Sequence, residues 1–387
     1  MAAHVYLDWN ATAPLRPESR AAMLAAADTV GNPSSVHAAG RAARHLVETA
    51  RAQVAALVGA QPREVIFTSG GTEANVLALD PAIESEKGMV GRLLVSAIEH
   101  PSVRAGGRFS PNAPEEIPVT ASGIVDLAAL ERRLAALAGK GIRPLVSVML
   151  ANNETGVIQP VSEVSRRVHA SGGLLHVDAV QGCGRIQTDF KELGADLLTV
   201  SSHKLGGPTG IGALVKRADV RLTPLITGGG QERSQRAGTE NVPGIAGFGA
   251  AAEVAYTNLT TEAPRMAALR EHLEAGIRRI APDAVIFGAE CERLPNTTLF
   301  SVPGMKAETA VIAFDLEGIA VSSGAACSSG KVAPSHVLAA MGVPEALARG
   351  AIRVSLGYAT TEQDISAFLA AWAKLAGALY RDRGIAA

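Results

Sequence analysis

Between residues 64 and 216 the sequence alternates short apolar segments with amphipathic helical segments, and this alternation constrains the fold more than any other feature. It is typical of repeated strand–helix–strand units that form a mostly parallel sheet. The carboxyl ends of such strands meet at one edge of the sheet, where open α/β proteins bind their ligands. Polar residues follow five of the apolar segments, namely Ser69-Gly70-Gly71-Thr72, Glu99-His100, Asn152-Asn153-Glu154, Asp178 and Lys204.

Helical periodicity and capping residues predict where several helices begin and end. Asp126 is placed to cap a helix that stops at Gly139, a long amphipathic helix is predicted to follow Pro264, and a capping box is predicted at Thr360-x-x-Gln363. The pattern changes after the glycine-rich segment 227–233, which indicates a second unit. We therefore predict an α/β chain with a large domain over residues 15–254, and a smaller α+β domain formed by residues 1–14 and 255–387.

Composition and charge exclude several classes of protein. The 387 residues carry a net charge of -1, which gives no electrostatic basis for binding nucleic acid or an anionic membrane. No apolar run reaches membrane-spanning length, and the N-terminus lacks the pattern of a secretory signal, so we expect a cytoplasmic protein. The spacing of the three cysteines suits neither a disulfide framework nor a zinc site. We expect Cys183 and Cys291 to be buried, and Cys327, which lies among small residues, to be an exposed nucleophile.

Asp178 and Lys204 point to a specific cofactor. A carboxylate can pair with a protonated pyridine nitrogen and a lysine can bond to an aldehyde, which together suit pyridoxal 5'-phosphate. Residues of these two types are common at strand ends, so the neighbouring Gly70-Gly71-Thr72 turn adds necessary support. A glycine turn that opens a helix can hold a phosphate, although it can also be an ordinary strand–helix turn. His100 is placed to stack on the cofactor ring, although a buried structural histidine is the common alternative.

Ten ordered motifs of this sequence resemble those of the cysteine desulfurases of the NifS and IscS type, within the fold-type I pyridoxal phosphate enzymes. That resemblance implies a large domain with a mostly parallel seven-stranded sheet, and a smaller domain that carries the Cys327 loop. The motifs are Tyr6-Leu7-Asp8, Gly31-Asn32-Pro33-Ser34-Ser35, Phe67-Thr68-Ser69-Gly70-Gly71-Thr72-Glu73, Glu99-His100, Asn152-Asn153-Glu154-Thr155-Gly156, His176-Val177-Asp178-Ala179, Ser201-Ser202-His203-Lys204, Arg236-Ala237-Gly238-Thr239, Ser322-Ser323-Gly324-Ala325-Ala326-Cys327 and Ile352-Arg353-Val354-Ser355.

The resemblance also implies a role for each site residue. Lys204 forms the Schiff base, Asp178 pairs with the pyridinium, and His100 handles protons on the substrate thiol or on Cys327. Arg353 and Asn153 bind the substrate, with the Arg353 guanidinium on its carboxylate. The remaining cofactor contacts implied are Gly71, Thr72, Ser201 and His203 at the phosphate, Thr239 at the phosphate of the neighbouring subunit in a homodimer, and Asn153 and Gln181 at the phenolic oxygen.

The reaction implied is removal of sulfur from L-cysteine, which leaves L-alanine and a persulfide on Cys327. A sulfur-acceptor or iron–sulfur scaffold protein is the implied partner, catalysis needs no metal, and Cys327 is a candidate transient cluster ligand. The sequence lacks the longer C-terminal tail of housekeeping members, so we expect a role in supplying nitrogenase clusters. Selenocysteine lyase, a fold-type I aminotransferase and a non-catalytic sulfur carrier are the alternatives. Trp9, Ala13 and Ser202 depart from the family pattern.

Overall fold

The computed structural model describes residues 5–86, 88–323, 327–328, 331–332 and 335–382, with the backbone alone for residues 327, 328, 331, 332 and 382. The helices are α1 (Pro17–Ala27), α2 (Ala38–Leu57), α3 (Gly71–Ala78), α4 (Pro101–Arg104), α5 (Leu127–Ala138), α6 (Val161–Ala170), α7 (Val242–Ile280), α8 (Ala307–Leu316), α9 (His336–Ala340), α10 (Glu345–Ala348) and α11 (Glu362–Asp382). The strands are β1 (Val5–Tyr6), β2 (Val65–Thr68), β3 (Glu84–Ser85), β4 (Gly88–Met89), β5 (Arg92–Ser96), β6 (Glu115–Ile117), β7 (Pro144–Ser147), β8 (Leu174–Asp178), β9 (Leu197–Ser201), β10 (Gly212–Lys216), β11 (Val285–Ile286), β12 (Thr297–Ser301), β13 (Ile319–Ala320), β14 (Ser322–Ser323), β15 (Cys327–Ser328), β16 (Lys331–Val332) and β17 (Ile352–Ser355).

The main sheet has seven strands in the order β2-β10-β9-β8-β7-β5-β6, which confirms the predicted mostly parallel sheet. Strands β9, β8, β7, β5 and β6 run parallel, and β10 is antiparallel to both of its neighbours. Helices cover both faces, so the strands are apolar throughout rather than alternating. In β9, for example, Leu198 and Val200 face the core under α2, α5, α6 and α7, while Leu197 faces the core under α3 and α4.

A four-stranded antiparallel sheet, in the order β11-β12-β17-β14, has a separate apolar core. Phe300 of β12 meets Trp372 of α11 edge to face at 5.1 Å, and both side chains are fully buried. Leu7 joins this core, because the N-terminal strand β1 pairs in parallel with β13. The proposed boundary between residues 254 and 255 falls inside the continuous helix α7, and the division into domains stays a prediction.

The helix predicted to follow Pro264 in fact begins at Val242 and continues through the proline. Pro264 removes one hydrogen bond, to the carbonyl of Thr260, and the helix tolerates this because Thr260 is exposed. Gly247 and Gly249, which resemble a dinucleotide fingerprint by chance, lie inside α7. A β-carbon at Gly247 would be 2.4 Å from Met23 Cγ, and one at Gly249 would be 2.6 Å from Ala50 Cα, so these glycines let α1 and α2 pack closely.

Two predicted helix caps have different outcomes. Asp126 caps α5 as predicted, because its side chain accepts a hydrogen bond from the Ala129 amide at 2.9 Å. The capping box of α11 is one residue later than predicted, at Thr361 and Asp364, whose side chains each bond the other's amide. The hydroxyl of Thr360 accepts from the Gly357 amide instead, within the preceding turn.

No helix in the described ranges combines the length and apolar character that crossing a bilayer requires.

Candidate active site

A cavity of about 560 Å³ opens at the carboxyl edge of the seven-stranded sheet, and β14, α9 and β17 close its far side. The structure brings most of the sequence-predicted site residues together there, although they are spread over more than 280 positions of the chain. The predicted residues on its wall are Gly71, Thr72, His100, Asn153, Asp178, Gln181, Ser201, His203, Lys204 and Arg353.

Asp178 is the last residue of β8, and its carboxylate is buried and rigidly held. The Asn75 side-chain amide donates to Oδ2 at 2.9 Å, and the Val180 backbone amide donates to Oδ1 at 3.1 Å. Two neutral donors fix the carboxylate without neutralising it. The group is therefore suited to pair with a cation that enters the cavity.

Lys204 ends a 3-10 turn that follows β9 and projects into the same cavity. Its Nζ donates to the backbone carbonyls of Asn10 and Ala11. Burial, reinforced by the positive charges of Arg185 and Arg353, lowers the pKa of Lys204 to about 7. A large share of the amine is thus neutral near pH 7, which is the form that attacks a carbonyl carbon.

The start of α3 forms an anion cradle at one end of the cavity. Gly70 has a φ of 153°, which favours glycine, and it turns the chain from β2 into α3. A β-carbon at Gly71 would lie 3.2 Å from Val180 Cγ2, so a larger residue would crowd this wall. Thr72, Ser201 and His203 surround the exposed helix start, where free amides and the helix dipole favour a phosphate group.

Arg353 of β17 faces the cavity from the second sheet. It donates to the Asn153 carbonyl at 3.0 Å and to Asp8 Oδ1 at 2.7 Å. Within the described part of the chain, its Nε is buried and has no hydrogen-bond partner. An orphaned donor on a clamped guanidinium suits a small carboxylate in the cavity.

Asn10 is a residue that sequence reasoning missed, and it links several parts of the site. Its backbone carbonyl accepts from Lys204 and from Gln181 Nε2, the latter at 3.1 Å. Its side-chain amide donates to the Asn153 carbonyl at 3.1 Å and to Thr297 Oγ1 at 3.0 Å. The signal is weak, because Asn10 follows no predicted strand of the main sheet and lies between the Tyr6-Leu7-Asp8 motif and Ala13 without belonging to a quoted motif.

Two buried carboxyl groups beside the cavity were also missed as individual site residues. Glu154 lines the cavity, burial raises its pKa to about 7 against the opposing effects of Ser335 and Arg353, and Ser335 donates to it at 2.5 Å. Glu99 is fully buried, and burial together with the nearby Asp178 charge raises its pKa well above the usual range. Both follow predicted strands and belong to the motifs Glu99-His100 and Asn152-Asn153-Glu154-Thr155-Gly156.

Thr239 and Cys327 are the remaining predicted site residues. Thr239 is exposed and lies outside the cavity, so its contact with a neighbouring subunit stays a prediction. The Cys327 side chain lies outside the described residues, and its backbone belongs to β15, paired with β16. Ser323 and Ser335, which are described on either side of this segment, line the cavity.

The other cysteines lie away from the cavity. Cys183 is buried as predicted, and burial raises the pKa of its thiol to about 12. Cys291 is half-buried rather than buried, because it lies in a surface turn, where its Sγ is 3.7 Å from the Ser122 carbonyl. Within the described ranges, no cluster of histidine, cysteine and acidic residues is arranged to hold a metal ion.

The cavity walls fit a planar cationic ring that carries an aldehyde and a phosphate. Asp178 offers the anion for the ring, Lys204 the amine for the aldehyde, and the start of α3 the cradle for the phosphate. Asn75 Oδ1 is buried without a partner among the described residues, so this wall also has a free acceptor. Pyridoxal 5'-phosphate has these three parts.

Comparisons with known proteins agree with this geometry. The family model "Aminotransferase class-V" matches residues 5–368. The "Cysteine desulfurase IscS" of Dictyoglomus turgidum is 41% identical over 95% of this chain and 93% of its own length. A "Cysteine desulfurase" of Gluconacetobacter diazotrophicus is 42% identical, over 94% and 91%.

Solved structures give the same result. The X-ray structure of a NifS-like protein from Rickettsia africae superposes with a TM-score of 0.86 at 39% identity, covering 96% of this chain and 99% of that one. A structure described as "SspA in complex with cysteine" has a TM-score of 0.76 at 29% identity, with 92% and 99% covered.

Proposed function

Because this chain belongs to the class-V aminotransferase family and to its cysteine desulfurases, we propose that it removes sulfur from L-cysteine and releases L-alanine. One observation carries the proposal: Asp178, Lys204 and Arg353 converge on a single cavity, which Ser323 and Ser335 border on either side of the Cys327 segment. This arrangement offers sites for a pyridoxal ring, for an amino acid carboxylate and for an attacking thiol. A non-catalytic sulfur carrier would need neither the site for the ring nor the site for the amino acid carboxylate.

The family depends on pyridoxal 5'-phosphate, which when bound acts as an electron sink for negative charge on the substrate Cα. We assign the ring nitrogen to Asp178, the aldehyde to Lys204 and the phosphate to the α3 cradle. Asn153 and Gln181 are assigned to the phenolic oxygen side. The pKa of about 7 for Lys204 supports its role, because the displaced amine can take and return a proton near neutrality.

Arg353 is assigned to the substrate carboxylate, and its buried, unpartnered Nε supports this assignment. Cys327 is assigned to the sulfur transfer. Its thiolate attacks the substrate sulfur, a sulfur–sulfur bond forms and the substrate carbon–sulfur bond breaks. The bonding electrons stay with the carbon, which takes up a proton and becomes the methyl group of L-alanine, and the enzyme retains a persulfide.

The proposal extends to the assembly and the sulfur acceptor. We propose a homodimer in which the exposed Thr239 reaches the phosphate of the neighbouring subunit. The persulfide then passes to a sulfur-acceptor or iron–sulfur scaffold protein, and the family resemblance favours supply of nitrogenase clusters. Cys327 is the proposed transient cluster ligand in that transfer. The free thiols of Cys183 and Cys291 support a reducing, cytoplasmic setting.

The Cys327→Ala variant tests the assignment, with Cys291→Ala as its matched control. We expect Cys327→Ala to keep its cofactor absorbance and to lose nearly all sulfide output from L-cysteine with a reductant, while Cys291→Ala keeps both. Unchanged sulfide output from Cys327→Ala would refute the nucleophile. Amino-group transfer to a keto acid by both variants would indicate an aminotransferase, and release of selenide alone would indicate a selenocysteine lyase.

A further inference from the structure

A chain of hydrogen bonds connects Asp178 with His100 through Asn75 and Ser102. Asn75 Nδ2 donates to Asp178 Oδ2 at 2.9 Å and to Ser102 Oγ at 2.9 Å. Ser102 Oγ lies 2.7 Å from His100 Nδ1, and the Ser102 backbone amide donates to the same nitrogen at 3.2 Å. All four residues line the cavity, so the chain runs along its wall.

The hydrogen bonds that connect Asp178, Asn75, Ser102 and His100 are consistent with only one placement of their hydrogen atoms. A backbone amide can only donate, so the Ser102 amide requires His100 Nδ1 to be an acceptor. The Ser102 oxygen already accepts from Asn75, which leaves its hydroxyl hydrogen free to point at Nδ1. Flipping the Asn75 amide would place its oxygen against the Asp178 carboxylate, which is repulsive. In the neutral ring the proton must therefore be on Nε2.

We propose that Ser102 and Asn75 are positioning residues that hold His100 as a neutral ring with its proton on Nε2, so that His100 faces the substrate sulfur as a hydrogen-bond donor and not as a base. His100 Nδ1 accepts its hydrogen bonds from Ser102, and no residue in the described part of the polypeptide forms a hydrogen bond with Nε2. Nε2 is thus the nitrogen left for a ligand in the cavity. The inference rests on the proposed function for the identity of the substrate, but not for the tautomer.

The surrounding charges are compatible with a neutral His100. Burial lowers its pKa, and the charge of Lys204 acts in the same direction against that of Asp178. His336 of α9 also has a pKa lowered by burial, and burial together with the Asp178 charge raises the pKa of Glu99 beside His100 well above its usual range, so both shifts favour the neutral forms of these neighbours. A neutral imidazole that donates from a fixed nitrogen can stabilise negative charge developing on a neighbouring atom.

The tautomer is measurable without any reaction. In protein labelled with ¹⁵N-histidine, the nitrogen shifts of His100 show which atom carries the proton, and the spectrum of His100→Gln identifies the signal among the nine histidines. We expect a protonated Nε2 in the wild type. Ser102→Ala loses the shorter hydroxyl bond to Nδ1, at 2.7 Å, and keeps only the longer backbone amide bond, at 3.2 Å, so we expect part of the His100 population to carry its proton on Nδ1, and a smaller part in Asn75→Leu. Ser102→Thr should restore the wild-type signal. Ser165→Ala removes a serine 3.3 Å from another histidine, His169, and should leave His100 unchanged.

The second test compares the kcat/KM values of two His100 variants. An amide can donate but cannot act as a base, so we expect kcat/KM for L-cysteine to fall about 10²- to 10³-fold in His100→Ala and to recover at least about tenfold in His100→Gln. Ser102→Ala should lose about tenfold, the effect of one good hydrogen bond. A wild-type proton on Nδ1, an unchanged tautomer in Ser102→Ala, or equal activities for the two His100 variants would each overturn the inference. Wild-type protein that releases no sulfide would instead contradict the proposed function, with the tautomer result still valid.

Discussion

Lys204 is the residue whose chemistry depends most clearly on its surroundings. Because burial lowers its pKa from 10.5 to about 7, the neutral amine already predominates just above pH 7. We expect an amine-acylating reagent to modify Lys204 in cofactor-free protein at a rate that rises with pH and levels off above about pH 8, within one unit of that pKa. Peptide mass spectrometry measures this rate, and a rate that is still rising steeply at about pH 10 would contradict the effect of burial on the Lys204 pKa.

At the same scale, some site residues could be predicted from the sequence and others could not. Asp178, Lys204 and His100 follow apolar strands, so the geometry of a parallel sheet brings them to one edge. Asn75 lies in the second turn of α3 and Ser102 lies in α4, where a polar residue is ordinarily solvated. Asn75 acts through Asp178, 103 positions away, and Ser102 is joined to Asn75 across 27 positions, so these contacts depend on the folded arrangement of the strands. The contact of Ser102 with His100 is local, because the two residues are two positions apart.

At the scale of elements, the segment 231–239 is held in place by a buried ion pair. Glu232, Arg233 and Ser234 all have positive φ, an unfavourable conformation for residues other than glycine. The Glu232 carboxylate accepts two hydrogen bonds from Arg51, at 2.6 and 2.8 Å, and one from the Phe67 amide at 2.9 Å. These contacts hold the strained turn against β2, immediately before the phosphate cradle.

Replacing Glu232 by glutamine should therefore be costly. The buried Arg51 would lose its buried carboxylate partner while the side-chain shape is kept, and would retain only the exposed Glu48 carboxylate. Breaking a buried pair costs about 3–5 kcal/mol. We expect Glu232→Gln to lower the free energy of unfolding by about that amount in urea, and to weaken cofactor retention. Glu253→Gln, which alters an exposed carboxylate that accepts a hydrogen bond from the Gln53 side-chain amide, is the control. Equal unfolding curves for the two variants would show that the ion pair does not stabilise the turn.

The elements that prediction misplaced show where local signals fail. A proline favours a helix start, which predicts a start at Pro264, but the helical pattern of buried residues continues on both sides of it, from Ile245 to Ile277. Packing on α1 and α2 stabilises the first part of α7, and packing on α11 stabilises the second, so one missing hydrogen bond does not end the helix. Thr360 and Thr361 are adjacent possible caps, and only the tertiary turn at Gly357 decides between them.

At the scale of the whole molecule, the N-terminal segment joins the two sheets through Asn10. The Asn10 side chain is almost fully buried. It contacts Asn153 beside the main sheet, and Thr297 and the adjacent Asn296 at the start of β12 in the second sheet. The alternation of strands and helices predicts the seven-stranded sheet, but it contains no information on this link. The pairing of β1 with β13 spans more than 300 residues, and only packing of the folded chain determines it.

Asn10→Ala should loosen the connection between the sheets while leaving each core intact. It removes two donated hydrogen bonds and one accepted bond in a buried setting, so we expect a loss of about 1–3 kcal/mol in the free energy of unfolding. The backbone carbonyl of residue 10 still accepts from Lys204 and Gln181, so the cofactor absorbance should persist. We expect kcat/KM for L-cysteine to fall, because the Asn153 carbonyl, which also accepts from Arg353, loses the hydrogen bond from Asn10. Asn258→Ala, on the surface of α7, is the matched control and should change neither quantity. If Asn10→Ala has the same free energy of unfolding and the same kcat/KM as Asn258→Ala, Asn10 does not hold the two sheets together.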